Sequence, residues 1–398
     1  MSRLAARPEQ LKLCQLLGAD PASLPGLARL SPRALRQLRL TLWAERQRRD
    51  ARHLRPLLAV ARWLPAGIAA WCSERWLGLP LVAALAGELS LQQTLGIARL
   101  LSPARLADVC TQLDPRAAHD LVHVLPEARV VAVARELLGR GDHMTLGRFA
   151  DHLGDAALTA VLAVIDKDAD LLDTVYFIES RSRLDHILRL LPEERRQRLM
   201  QLLLDGDGEH LRQILFLLTS LSPALQAELG GLAVRDAAVL ARIIELVHAG
   251  AHWADLLGLL LALAPADQAL VLAAPAWREQ PVLLQSLLEA ADHEQLWLTT
   301  LPLCALMDEP LRARCAGVIA GLPQGIGHVT QAALSGEHWP VWLSLLAAMP
   351  LAPRQEFAHL LRGYGDIDPS LWRRLVAQAG PLAPLLLGDE PATDPAPA

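Results

Sequence analysis

The chain predicts an all-α fold, an α-solenoid or superhelix of short stacked helices, on three observations. Apolar residues make up 52% of the sequence and aromatics only 4%, with Leu and Ala dominant; Leu and Ala favour helix, whereas the residues that favour strands are scarce. A short phrase (one or two Leu, a polar or Pro step, then a charged amphipathic stretch) recurs along the chain. Neither an alternating strand run nor an Asn-Gly or Asp-Gly hairpin between β-branched stretches competes with it.

The phrase reads Leu101-Ser-Pro-Ala-Arg-Leu-Ala-Asp, then Leu113-Asp-Pro-Arg-Ala-Ala-His-Asp, then Leu125-Pro-Glu-Ala-Arg-Val-Val-Ala. It returns at Leu191-Pro-Glu-Glu-Arg and Leu221-Ser-Pro-Ala-Leu, and more loosely at Leu263-Ala-Pro-Ala-Asp and Met349-Pro-Leu-Ala-Pro-Arg. Ser102 and Asp114 stand where an N-cap accepts from free backbone N–H groups. Pro at the next position loses nothing by lacking its own N–H. Glu127, Glu193 and Glu194 oppose the positive end of the helix dipole. Leu106, Val109, Cys110 and Leu113 then recur at helical spacing, as do Leu199, Leu202 and Leu203.

Pro103, Pro115 and Pro126 are 11–12 residues apart, the length of one short helix and a tight corner. Such helices cannot bury a face alone, so neighbours must stack. About 18–22 helices are expected on this spacing, with longer hairpins in the C-terminal half. The expected organisation is a basic, Trp-rich helical segment over 1–76, a solenoid over 77–387 and a disordered Pro/Ala tail over 388–398.

Mean hydropathy is +0.25, which calls for a membrane test. A spanning helix needs about 18–20 uninterrupted apolar residues; the run at Leu256–Ala266 ends before Asp267 and that at Leu77–Gly87 ends at Glu88. No transmembrane helix is expected. The start, with Arg3 and Arg7, shows no apolar core followed by a cleavage site, so no leader is expected. Five scattered cysteines without a CxxC pair fit buried thiols in a reducing compartment. A cytoplasmic location follows, with peripheral attachment to a membrane as the variant.

Residues 1–62 carry thirteen Arg or Lys against four Asp or Glu, although the whole chain is at −5. Within Leu38–Trp76 lie Arg46, Arg48, Arg49, Arg52, Arg55 and Arg62 with Trp43, Trp63, Trp71 and Trp76.

The block from Ile97 to Leu204, carried by the run from Leu101 through Arg129 and by Leu190-Leu-Pro-Glu-Glu-Arg-Arg-Gln-Arg-Leu, resembles the intracellular domain of bacterial magnesium transporters. That resemblance implies a superhelix of short, armadillo- or HEAT-like helices over roughly a quarter of the chain. Those transporters continue into nucleotide-sensing modules and membrane helices that this sequence lacks. Where they typically carry paired Asp before a helix, this sequence reads Ser182-Arg183-Leu184-Asp185-His186. The resemblance therefore implies fold and not magnesium sensing.

Motifs for chemistry are weak. His119 and His123 have the i, i+4 spacing of zinc peptidases, but Asp120 replaces the Glu and no third ligand is evident. His248 and His252 share the spacing across Ala-Gly-Ala. Asp166, Asp168 and Asp170 resemble the opening of a calcium loop, as do Asp205, Asp207 and Glu209; both lack the carboxylate at the twelfth position, where Phe177 and Phe216 stand. No phosphate loop, GxSxG or SxxK occurs. No metal or cofactor is expected, and catalysis would need an unrecognised site.

Two sets of residues stand out for binding. Asp173, Tyr176, Glu179, Ser180 and Arg183 make a polar stripe when placed on one long helix, and so are expected to line a groove that holds a protein partner. Arg46, Arg48, Arg49, Arg52 and Arg55 with Trp43 and Trp63 are expected, on the alternative reading, to attach to an anionic membrane or inclusion surface. Nucleic acid is not expected, because the overall charge is negative and no reading motif is present. The leading function is a non-catalytic scaffold or regulator.

Overall fold

A computed structural model describes residues 3–205, 208–365, 373, 376–378 and 380–387. The expected tail, 388–398, lies outside them. The chain divides into two compact units, Met1–Ser222 and Pro223–Ala398, and the basic N-terminal segment belongs to the first.

In the first unit α1 (Ala6–Leu17) and the long α2 (Pro32–Ala61) are followed by α3 (Ala66–Arg75), α4 (Leu79–Glu88), α5 (Leu91–Leu100), α6 (Pro103–Gln112) and α7 (His119–Val124). Then come α8 (Glu127–Gly139), α9 (His143–Ala150), α10 (Asp155–Val164), α11 (Asp168–Val175), α12 (Arg181–Leu190), α13 (Glu193–Asp205) and α14 (Gly208–Ser220). The second unit holds α15 (Pro223–Arg235), α16 (Ala237–Gly250), α17 (Trp253–Ala262), α18 (Pro265–Leu272), α19 (Ala276–Glu279) and α20 (Pro281–His293). It continues with α21 (Trp297–Cys304), α22 (Glu309–Gly321), α23 (Gly325–Ser335), α24 (Trp339–Ala347), α25 (Leu351–Gly365) and α26 (Ala383–Leu387).

These 26 α-helices, among the described residues, exceed the expected 18–22 because stretches read as single helices are broken at corners. No strand occurs among the described residues, and none of their helices is long and apolar enough to cross a membrane. Helices of 13–15 residues concentrate from α13 onward, matching the longer hairpins expected there.

Through much of the first unit a helix packs on the helix two places along: α2 on α4, α4 on α6, α6 on α8 and α8 on α10, with α3 on α5, α5 on α7 and α9 on α11 in the alternate row, while α1 lies chiefly on α2. Two rows of parallel-running neighbours are the α-solenoid arrangement. Gly147 is required in this stacking, because a Cβ there would collide with the Thr174 carbonyl of α11.

Side-chain caps open α2, α6, α9, α12, α16 and α22. The Ser102 hydroxyl accepts from the Arg105 N–H, and Asp236 and Asp308 cap α16 and α22 in the same way. Asp114 is an exception. Its carboxylate accepts from the Arg116 backbone and guanidinium, forming a turn, and the next helix begins only at His119.

The arginine of the repeated phrase has its own role. Arg105 in α6 donates to the carbonyls of Ser73 and Leu77 at the end of α3. Arg129 in α8 reaches Ala98 and Leu101 at the end of α5, and Arg195 in α13 reaches Leu162 and Ile165 at the end of α10. Arg314 in α22 does the same to Trp277 and Arg278 of α19. Each arginine thus satisfies the orphan carbonyls that end the helix three before it.

Candidate functional site

The polar stripe and the basic N-terminal segment, distant in sequence, meet in the first unit. The expected long helix is two: α11 ends at Val175, Tyr176–Ser180 forms a corner, and α12 begins at Arg181. The stripe spacing fails because Asp151 of the preceding corner accepts from the backbone N–H groups of Glu179 and Ser180 at 2.8 and 3.3 Å, holding them out of the helix. The Ser180 hydroxyl then caps α12.

Glu179 faces inward onto α1 and α2. Its carboxylate meets Arg39 Nη2 at 2.6 Å, Arg36 Nη2 at 2.9 Å and Lys12 Nζ at 3.3 Å. Glu9 completes the network, 2.9 Å from Arg39 and 3.0 Å from Lys12. Glu9, Lys12 and Arg39 are all buried. Buried charges require pairing of this kind, since an unpaired one is strongly penalised. Burial opposes ionisation of Glu179, yet Lys12, Arg39 and Arg36 together outweigh it and hold the carboxyl down at about 2. Beside the network, Gln15 bridges to Thr145 and accepts from the buried Arg148. The N-terminal hairpin therefore occupies the face on which the stripe was placed.

The remaining stripe residues are engaged within the unit. Tyr176 is buried edge-on to Phe177 and Phe216. Asp173 accepts from Gln213 at 2.7 Å, and Arg183 pairs with Asp155 at 3.1 Å.

The Arg/Trp set divides. Trp43 is only 6% exposed and lies between the guanidinium groups of Arg46 and Arg148, at 5.6 and 5.9 Å from its ring centre. It is a core residue and not a surface anchor, because it sits on the same face of α2 as Leu35 and Arg39. Arg46 also donates to Gln112, and Arg48 approaches Glu45 at 3.6 Å. Arg49 is exposed. The side chains of Arg52 and Arg55 lie outside the described residues. Trp63, by contrast, is 90% exposed, with Trp76 at 74% and Trp71 at half. Trp71 and Trp76 stack at 5.5 Å, and Leu57, Val60 and Ile68 extend the exposed apolar surface.

Two openings were not foreseen. In the first unit the core of α3–α8 falls into separate clusters, one around Val82, Val109 and Phe149 and another around Ala98, Leu101 and Leu106. Between them runs an apolar cavity of about 160 Å³. In the second unit an open groove of about 420 Å³ runs between α20 and α22, walled by Leu284, Val318 and Leu322 and rimmed by Gln285, Glu289 and Arg314. Its floor is Gly317 and Gly321, where an added Cβ would meet nothing within 4 Å. Two glycines one turn apart inside a helix, each costing about 1 kcal/mol against Ala, were the sequence signal for this groove.

Among the described residues no group of three His, Cys, Asp or Glu side chains is placed to hold a metal. His119 and His123 stack at 4.6 Å, and His152 joins them edge-on at 5.5 Å from His119. His123 Nδ1 is directed at the His152 carbonyl, so the three rings do not converge on a point. His248 and His252 are separated by a left-handed turn at Ala251. Asp168 is taken by Arg195 and Arg198 at 2.9 and 2.7 Å; Asp207 lies outside the described residues.

No protein-family model matches the chain, and no curated protein matches it. Among solved structures, a circular tandem repeat protein with novel repeat topology and enhanced subunit contact surfaces aligns over 98% of each chain, at 16% identity and a TM-score of 0.23. Over its described residues the chain is an all-α protein of stacked short helices.

Proposed function

We propose that the chain is a non-catalytic helical-repeat scaffold, located in the cytoplasm, that receives a helical segment of a protein partner in the groove between α20 and α22. The open floor at Gly317 and Gly321 carries this reading. An apolar trough with a polar rim suits the apolar face of an amphipathic helix, and small residues let two helix backbones approach closely. The groove moves from the stripe, where the notional partner's place is taken by α1 and α2, to the second unit. The resemblance of residues 97–204 to the intracellular domain of magnesium transporters supports the stacked-helix part of the reading only. The test is site-specific photo-crosslinking from position 285 in the native host. One protein should be captured by the wild-type chain and lost on Gly317→Phe/Gly321→Phe substitution. Capture undiminished by filling the groove would remove it as the binding site.

A second reading, attachment to an anionic membrane or inclusion surface, is favoured by the exposure of Trp63, Trp71 and Trp76. On this reading the contact comprises those rings with Arg48, Arg49 and Arg62, and excludes Trp43. Co-sedimentation with phosphatidylserine vesicles should fall on Trp63→Ala/Trp71→Ala/Trp76→Ala substitution. Sedimentation equal to wild type would sink it.

A further inference from the structure

The cavity in the first unit is an apolar space partly open to the surface. Its walls come from α3 to α10, and the polar groups among them are few. The Thr94 hydroxyl is spent on the Ser90 carbonyl of its own helix turn. Ser73 is buried, and its carbonyl is held by Arg105. Burial pushes the Cys110 thiol up to about 12, so this wall group stays neutral. Apolar cavities of about 150 Å³ stay dry and accept apolar ligands; a space of about 160 Å³ is of that size.

One lining residue belongs to the exposed class: Leu64, in the turn between α2 and α3. It marks the mouth. Beside it along the chain stand Val60, Trp63 and Ile68, all at least half exposed, and the exposed Arg62. The mouth thus combines apolar side chains with positive charge, while no charged side chain lines the interior. A molecule that fits both parts has an aliphatic tail and an anionic head. The volume holds one narrow chain and not a fused ring system, since drug-sized ligands need roughly 300 Å³ or more.

We propose that the cavity between α3 and α8 binds the aliphatic chain of a fatty-acid-like amphiphile, entering past Leu64, with its carboxylate beside Arg62. This site lies in the first unit and does not depend on the partner groove of the second. Nor does it require membrane attachment, since a monomeric fatty acid can enter from solution.

The test is isothermal titration of the full-length protein with hexanoate, octanoate and decanoate, each below its micellar concentration. Affinity should rise about fourfold per added methylene, saturate at one chain per protein, and level off once the cavity is full. Ala98→Phe and Val133→Phe, which place a ring in the cavity from two different helices, should each weaken decanoate at least tenfold while retaining the helical circular dichroism signal. Arg62→Glu should weaken decanoate but not decanol. The chain-length series needs no substitution, so it reads the proposal even if both filled variants misfold. Absence of saturable decanoate binding to the wild type would overturn the site. So would equal affinity in a folded, filled variant, which would put the chain on the exposed tryptophans instead.

Discussion

The Arg105 guanidinium donates to the carbonyl of Ser73, 32 residues earlier, and so closes the end of a helix to which its own is not directly joined. Arg129 and Arg195 repeat the relationship, and this gives the arginine two or three residues after the proline of the phrase a physical meaning. A planar fork can serve two carbonyls at once, where an ammonium is a single point charge. With only Lys12 and Lys167 as lysines, the arginine bias of the chain looks like codon usage in composition alone; at these positions it is a requirement of the corners. Arg129→Lys should therefore destabilise the first unit by about 1–2 kcal/mol. Urea denaturation checks this, and a variant as stable as wild type would show the fork to be dispensable.

Glu179→Gln should be more severe. It leaves Arg39 and Lys12 buried with only Glu9 for balance, and breaking a buried pair costs about 3–5 kcal/mol. The urea midpoint should drop accordingly, and replacing Arg39 by Met should cost a similar amount. Losses smaller than those of an exposed pair, about 1 kcal/mol or less, would contradict the buried network.

The same carboxylate makes stability depend on acid. Glu179 is held at about 2 in the fold against an ordinary value of 4.5. Its folded value is depressed, so its contribution is complete above pH 4.5 and declines as pH falls toward 2. Denaturation midpoints between those limits should fall more steeply for wild type than for Glu179→Gln. Parallel profiles would refute the linkage.

His152 has the opposite dependence. Burial pushes its imidazole below the usual value, opposed by Asp151 and reinforced by His119. The folded state prefers it neutral, so stability declines as pH falls below 6.5 toward the lowered folded value, and is constant below that. His152→Asn should flatten that step, which thermal melts at pH 8, 6.5 and 5 would reveal.

Trp43 and Trp63 should separate cleanly. Trp43→Ala empties a packed site between two guanidinium groups and should cost about 3–5 kcal/mol. Trp63→Ala, at an exposed site, should stay within about 0.5 kcal/mol. Urea denaturation of the two variants checks the pair, and equal losses would mean that Trp63 is packed as well.

The class of fold was legible because composition and cap chemistry act locally. Ser102 announces its helix with a hydroxyl, a proline and an apolar face, all within a dozen residues. What was not legible depends on partners far away. Asp114 looks like Ser102 in sequence but spends its carboxylate on Arg116, and no local rule decides between those uses. Glu179 and Tyr176 fit a helical stripe until Asp151, 28 residues before Glu179, captures the backbone N–H groups of Glu179 and Ser180. The helix count came out low for the same reason, since corners stabilised by distant carboxylates and arginines leave little trace in the periodicity. Trp43 and Trp63 share a residue type and a basic neighbourhood, and only packing tells them apart. The apolar cavity has no sequence signal, because its lining is composed of the same Leu, Ala and Val that fill a solid core.

The clasp at Glu179 also bears on the order of folding. Stacked-repeat chains assemble from nearest-neighbour contacts and can begin anywhere. In this unit Lys12 and Arg39 share the single carboxylate of Glu9 until the chain has been built past residue 179, and contacts of such long sequence separation slow folding. During synthesis the second carboxylate of the network arrives on a corner that emerges some 140 residues after Arg39. The clasp thus ties the first two helices of a stacked array to a corner far along the chain, a link between distant repeats that nearest-neighbour stacking alone does not make.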